Sequence, residues 1–322
     1  MDWCTIESDP AVFTELIDNF GVKDTAVEEI YTMDEIPMDK KNHGFIFLFK
    51  YQQVDYQADD RPIASEEAAS AGLFFAKQTV QNACATQAIL SVLFNSPDIN
   101  LGTSLSEFKE FTSEFDPESR GMSIGNSDII RNAHNAFARP EVFVSDDEKY
   151  SKKGGKGEDV YHFIAYVPFN GNVYELDGLK SGPINLGAGE NWIHVARPAI
   201  EERMAKFSQN ETAFALLTIC EKKETILNRE LLRLNESLMN TEAGSADRSR
   251  IESEVSAVQS ELQAEERKLL RDRQENVRRK HNYLQFIMVL LKALSKKGKL
   301  DGIISSYKDR RATLGAAVSA KK

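Results

Sequence analysis

Cysteine is scarce in this chain. Three stand among 322 residues, Cys4, Cys84 and Cys220, and no two form a Cys-x-x-Cys pair. So sparse and odd a set excludes a disulfide scaffold and a cysteine zinc site, and it fits a reducing compartment, cytoplasmic and nuclear. Five histidines are scattered without metal-ligand spacing, so no metal or cofactor is expected. Long apolar runs are missing as well. The longest, Phe286 to Leu291, has six residues, far short of the roughly 18 that a membrane span needs. The start Met1-Asp2-Trp3-Cys4 carries neither a basic stretch nor an apolar core segment, so no signal peptide is expected.

Positive charge is short in the first two thirds. Residues 1–220 hold 18 Lys and Arg against 35 Asp and Glu, a net of −17. Residues 221–322 hold 22 against 15, a net of +7. The acidic part suits a basic substrate or partner and disfavours nucleic acid. In the basic part the charges alternate along helical patterns, as on a solvated helix face.

Residues 1–220 mix strand and helix patterns. Phe45 to Phe49 is a short, fully apolar run read as a central strand; Val142 to Val144, Tyr161 to Val167 and Val173 to Leu176 read as further strands. Leu73 to Leu93 and Asn126 to Ala138 have helical spacing. The expected class is α+β, with helices flanking a central sheet. Asn170-Gly171 predicts a two-residue type I′ hairpin turn. In that register, paired residue numbers sum to 341 and Asp177 falls opposite Ile164. Side chains alternate along a strand, so His162 and Asp177 project from one face as diagonal neighbours. Ser145 to Asp159 is polar and glycine-rich and reads as a flexible loop just before His162. Its Gly-Gly-Lys-Gly is no phosphate loop, because no Gly-Lys-Ser/Thr leads from a strand into a helix.

The pattern changes after Cys220. Leu227, Leu231, Leu234 and Leu238 recur at helical spacing, as do Ile251, Val255, Val258, Leu262 and Leu269. Asn240 to Ser249 interrupts them, which predicts an antiparallel pair of amphipathic helices. A third helix, His281 to Leu294, is apolar around most of its circumference, more than a surface helix needs. The expected domains are a catalytic domain over 1–221, an all-helical extension over 222–306 and a poorly ordered tail over 307–322.

Cys84 stands where a polar turn meets a helical run. A thiol at a helix N-terminus feels the positive end of the macrodipole, which favours thiolate. A cysteine before an apolar helix is, taken alone, more often buried and structural. Gln78, six residues upstream, could offer a side-chain amide to an oxyanion. His162 could serve as base, and Asp177 could accept from its other ring nitrogen. The order Gln, Cys, His, Asp is that of papain-like thiol hydrolases.

Several blocks resemble one family, the ubiquitin C-terminal hydrolases (peptidase C12). They are Trp3 to Pro10, Phe74 to Gln78, Asn82 to Ala88 and Tyr174 to Gly178. The extension, above all Arg278 to Leu284, resembles that of the family's long, proteasome-associated member. The resemblance implies a deubiquitinating thiol hydrolase with Cys84 as nucleophile, His162 as base, Asp177 as its orienter and Gln78 as oxyanion donor. It makes Ser145 to Asp159 the loop that crosses the active site. It further implies that Phe214 and Met33 contact ubiquitin. By the same likeness the C-terminal helices dock on a proteasomal ubiquitin receptor and a chromatin-remodelling complex is a second partner; the apolar circumference of the third helix makes Tyr283, Phe286, Ile287 and Leu290 the expected adaptor-binding residues. Two other readings stand beside it: a catalytically quiet ubiquitin-binding or scaffold subunit, and a papain-like peptidase of general specificity.

Overall fold

The computed structural model describes residues 3–36, 40–51, 72–138, 161–209, 214–242 and 244–308. The strand expected at Val142 to Val144, the loop Ser145 to Asp159 and the tail beyond residue 308 lie outside them. The described residues divide into two compact units, one of those up to residue 278 and one of residues 279–308.

The first unit is built on a six-stranded antiparallel sheet. Its strands are β1 (Thr25–Ile30), β2 (Asn42–Lys50), β3 (Tyr161–Phe169), β4 (Asn172–Leu176), β5 (Ile184–Ala188) and β6 (Phe214–Glu221), in the order β1-β6-β2-β3-β4-β5. β2 lies inside the sheet and is buried over His43 to Phe49, which is why its apolar run does not alternate. Beyond the strands read from sequence, the sheet contains β1, β5 and β6. β1 and β5 are edge strands; the adjacent carboxylates Glu28 and Glu29 break the alternation of the first.

Both faces are covered. On one, Phe163, Ala165 and Val167 of β3 meet α1 (Pro10–Asn19) and α2 (Cys84–Asn95). On the other, Ile164 and Tyr166 meet α6 (Trp192–Gln209). Between α2 and β3 the chain forms α3 (Gly102–Phe111), α4 (Pro117–Asn126) and α5 (Asp128–Asn135). The last starts at Ser127, whose hydroxyl accepts from the Ile130 N–H as an N-cap should.

The helix expected over Leu73 to Leu93 begins only at Cys84, after a single 3-10 turn at Gln81–Ala83. Residues 73–79 have no helix or strand, and their backbone groups pair elsewhere. The Phe74 N–H and C=O both bond the Asn95 amide, at 2.8 Å each. The Ala76 carbonyl accepts from Gln87 Nε2 at 2.6 Å. Lys77 N–H donates to Pro117 O, and Gln78 N–H to Gly178 O. Periodicity alone does not separate a buried extended run from a helix.

After β6, α7 (Lys223–Met239) and α8 (Ala246–Lys280) run antiparallel, with Lys223 Nζ 3.4 Å from Glu261 and Arg248 Nη1 on the Leu238 carbonyl. Leu227 and Leu234 are buried, and the α8 stripe Ile251, Val255, Val258, Leu262 and Leu269 is half-buried. These two helices belong to the same compact unit as the sheet. Lys222 Nζ holds Asp18 at 2.6 Å, and Asn276 donates to the Ala11 carbonyl and to Glu15. In the second unit, α9 (Leu284–Lys296) is followed by helical residues 300–308. Tyr307, expected to begin the tail, is therefore helical.

Asn276 is 2% exposed. Asn276→Ala should remove both of these bonds and cost about 1–3 kcal/mol in urea unfolding, a loss that Asn276→Asp should not repair.

Candidate active site

Cys84 is the first residue of α2, with Ala83 at the N-cap and no side chain capping the helix. The placement is the expected one; the resulting acidity is not. The thiol is half-buried, and burial pushes its pKa up to about 11, against an opposing pull from the N–H groups of Cys84 and Ala85. Desolvation thus outweighs the helix terminus.

Gln78 lies across a small pocket from Cys84. Its walls include Phe75, Ala76, Gln87, Phe163, Leu176 and Gly178 as well as these two. The Gln78 amide donates to the Gln81 carbonyl at 3.4 Å, a long and exposed bond that a better acceptor can displace. Its backbone N–H is held by the Gly178 carbonyl at 2.9 Å.

His162 and Asp177 are brought together. Nε2 of His162 lies 2.8 Å from Oδ1 of Asp177, and the residues are 3% and 1% exposed. The cause is the hairpin. β3 and β4 pair Phe169 with Asn172 and Ala165 with Leu176, the register that the two-residue turn predicts. Asn170 and Gly171 both have positive φ, 48° and 79°, as the type I′ turn requires. Asp177 also accepts from the Leu179 N–H at 3.0 Å, which keeps its carboxylate aimed. Because Asp177 takes Nε2, the nitrogen suited to exchange a proton with a thiol is Nδ1. The Cys84 pocket is lined by their strand neighbours Phe163 and Leu176, not by His162 and Asp177 themselves.

Met33, offered by the resemblance as a ubiquitin contact, is 4% exposed and packs in the core beneath α6 with Ile30 and Ile36. A side chain so enclosed has little surface left for a partner. Phe214 is half-buried at the start of β6 and stacks on Phe47 with centroids 5.7 Å apart. Tyr283, Phe286, Ile287 and Leu290 are 44%, 63%, 47% and 44% exposed.

The model of the family described as ubiquitin carboxyl-terminal hydrolase, family 1, matches residues 3–205. The chain belongs to this family. A second model, described as ubiquitin carboxyl-terminal hydrolases, matches residues 255–300. The hydrolase is 40% identical to the ubiquitin carboxyl-terminal hydrolase isozyme L5 of Dictyostelium discoideum, over 96% of each chain. It is 39% identical to ubiquitin carboxyl-terminal hydrolase ubh-4 of Caenorhabditis elegans, over 94% of this chain and 91% of that one. Among solved structures it is similar to Trichinella spiralis UCH37 bound to ubiquitin vinyl methyl ester. The TM-score is 0.61 and the identity 34%, over 82% of this chain and 99% of that one.

Two residues that shape the hydrolase's site carry no chemistry and so give only a weak signal in the sequence. Gln87, one turn after Cys84, ties the Ala76 carbonyl to α2. Gly178 leaves room for that arrangement: a Cβ there would overlap Gln87 Nε2 and stand 3.0 Å from Gln78 N and Cβ. The glycine after Asp177 is the one visible clue. Gly178→Ala should therefore push the Gln78 segment outward, lowering kcat/KM at least tenfold and destabilising the fold by about 1–3 kcal/mol. Steady-state kinetics and urea titration check the two halves. Because the thiol pKa is raised to about 11, iodoacetamide labelling of Cys84 in the resting enzyme should be slow at pH 7. Its rate should climb steadily through pH 9 and beyond, without a plateau near neutrality.

Proposed function

We propose that this family member, a cysteine-type deubiquitinase, cleaves peptide and isopeptide bonds at the C-terminus of ubiquitin with Cys84 as its nucleophile. The observation that carries the reading is the buried His162–Asp177 pair at 2.8 Å, next to a pocket lined by Gln78 and by Cys84 at a helix start. Family membership and the ubiquitin-derived ligand of the similar Trichinella UCH37 structure support ubiquitin as the substrate.

In this reading Cys84 Sγ attacks the carbonyl carbon of ubiquitin's last residue as its proton passes to Nδ1 of His162. The carbonyl π electrons move onto oxygen, where the Gln78 amide and the Cys84 N–H stabilise the negative charge. Collapse of the tetrahedral species breaks the C–N bond, and the leaving amine takes the proton from His162. Water then attacks the thioester with His162 again accepting a proton, and the thiol is restored. Asp177 stabilises the imidazolium formed in each half. With burial holding the thiol pKa high, the reading assigns His162 the part of general base when substrate arrives.

The proposal extends to the helices after β6. Tyr283 at the N-cap of α9, with Phe286, Ile287 and Leu290 on the helix, is 44% to 63% exposed, a surface suited to docking on a proteasomal ubiquitin receptor. Such docking would place the enzyme in the cytoplasm and nucleus, with a chromatin-remodelling complex as a second host. The second UCH match, over residues 255–300, supports a family-specific role for this region.

Cys84→Ala should abolish hydrolysis of a ubiquitin C-terminal fluorogenic amide while ubiquitin binding, read by calorimetry, persists. A ubiquitin-tail electrophile should label wild-type Cys84, and a short generic peptide electrophile should not. Turnover by Cys84→Ala within tenfold of wild type would refute the nucleophile, and equal labelling by both probes would refute ubiquitin specificity.

A further inference from the structure

Glu175 precedes Asp177 by two residues, so both carboxylates lie on one face of the sheet, about 7 Å apart along the chain. Glu175 is completely buried. Two cations reach it, Nη2 of Arg203 on α6 at 2.7 Å and Nζ of Lys180 at 3.6 Å. The Arg203 guanidinium also lies over the Phe49 ring, 5.7 Å from its centroid. Phe49 in turn is the strand partner of His162, and their rings meet edge to face at 5.7 Å and 87°. One side chain therefore touches both the carboxylate beside the orienter and the ring that backs the base.

A carboxylate this deep needs a counter-charge. Left uncompensated, Glu175 would add its field to that of Asp177 and draw the nearby imidazole toward its protonated form. We infer that Arg203 is a positioning residue for His162, neutralising Glu175 so that Asp177 sets the imidazole's charge state, and holding Phe49 against its ring. The inference rests on His162 being the base proposed above. Lys180 is the lesser partner: it is farther from the carboxylate, and burial together with the Arg203 charge lowers its pKa to about 8. Other ionisable groups lie around the pair among the described residues. Lys50 and Tyr161 pair at the β2–β3 end, Tyr51 has its ring 6.3 Å from the imidazole, and Tyr166 is buried on the same face. On α6, Glu202 and Lys206 are exposed neighbours of Arg203. Arg203 is the one among these that contacts Glu175 and Phe49 together.

The test is the protonation midpoint of His162, followed by NMR of its ring proton in the full-length enzyme, beside kcat and KM for a ubiquitin amide. Arg203→Met should raise the midpoint by about one pH unit and lower kcat about tenfold, with KM changed less than about twofold. Glu175→Gln should shift the midpoint the opposite way, and the double variant should return it close to wild type. Arg203→Lys, which keeps the charge, should hold the midpoint and restore part of kcat. Shifts of the same sign in the two single variants, or no shift in Arg203→Met, would overturn the inference. If Arg203→Met fails to fold, Glu175→Gln decides alone: a midpoint that does not fall refutes it. Full activity in His162→Ala would instead refute the base assignment, a separate result, because the midpoint is read without turnover.

Discussion

The left-handed turn at Asn170 and Gly171 sets the register of β3 against β4, and the site's polar chemistry hangs on that register. It puts Asp177 diagonally across from His162, where their side chains meet at 2.8 Å. It also puts Glu175 on the same face as Asp177, within reach of α6 and its Arg203. A slip of one residue in β4 would turn Glu175 and Asp177 to the opposite face, away from His162 and Arg203. The apolar alternation of β3, Phe163 and Ala165 toward α2 and Ile164 and Tyr166 toward α6, holds the same register from both sides of the sheet. The turn and the two cores therefore agree.

At Cys84 two effects compete. The helix start and its free N–H groups favour a thiolate; the surrounding packing disfavours any charge. Burial prevails, and the thiol is held well above its ordinary range. This follows from how α2 is used. Every residue from Ala85 to Asn95 is buried, so the helix runs through the middle of the core and its first residue shares that enclosure. A thiol placed there is fixed in position by the helix and kept from charge by its surroundings. Its reactivity depends on a base and on the moment a substrate excludes water and brings its carbonyl close.

The segment from Phe74 to Gln78 shows how an irregular backbone is kept rigid inside a core. Its donors and acceptors are matched one by one by the amides of Asn95 and Gln87 and by the carbonyls of Pro117 and Gly178. Polar side chains on buried faces of α2, which would be costly if unpaired, are thereby explained. The helices after β6 divide along a similar line. α7 and α8 place half-buried stripes and the amide of Asn276 on the sheet's own unit, whereas α9 carries large apolar side chains that remain exposed.

The sequence by itself determined the α+β class, the central strand Phe45 to Phe49, the hairpin register, the helix start at Cys84 and the paired stripes of α7 and α8. Each of these is a local pattern, a periodicity or a turn whose backbone angles only a few residues adopt. Residues 73–79 were illegible because a buried extended run and a buried helix share the same apolar composition, and only partners distant in the chain decide between them. Gln87 and Gly178 were hidden for the same reason, since their roles are distances to other segments. The enclosure of Met33 and the pairing of Glu175 with Arg203 exist only once α6 lies on the sheet. So does the raised pKa of Cys84. A thiol's acidity is set by the sum of everything packed around it, and that sum is a property of the folded chain.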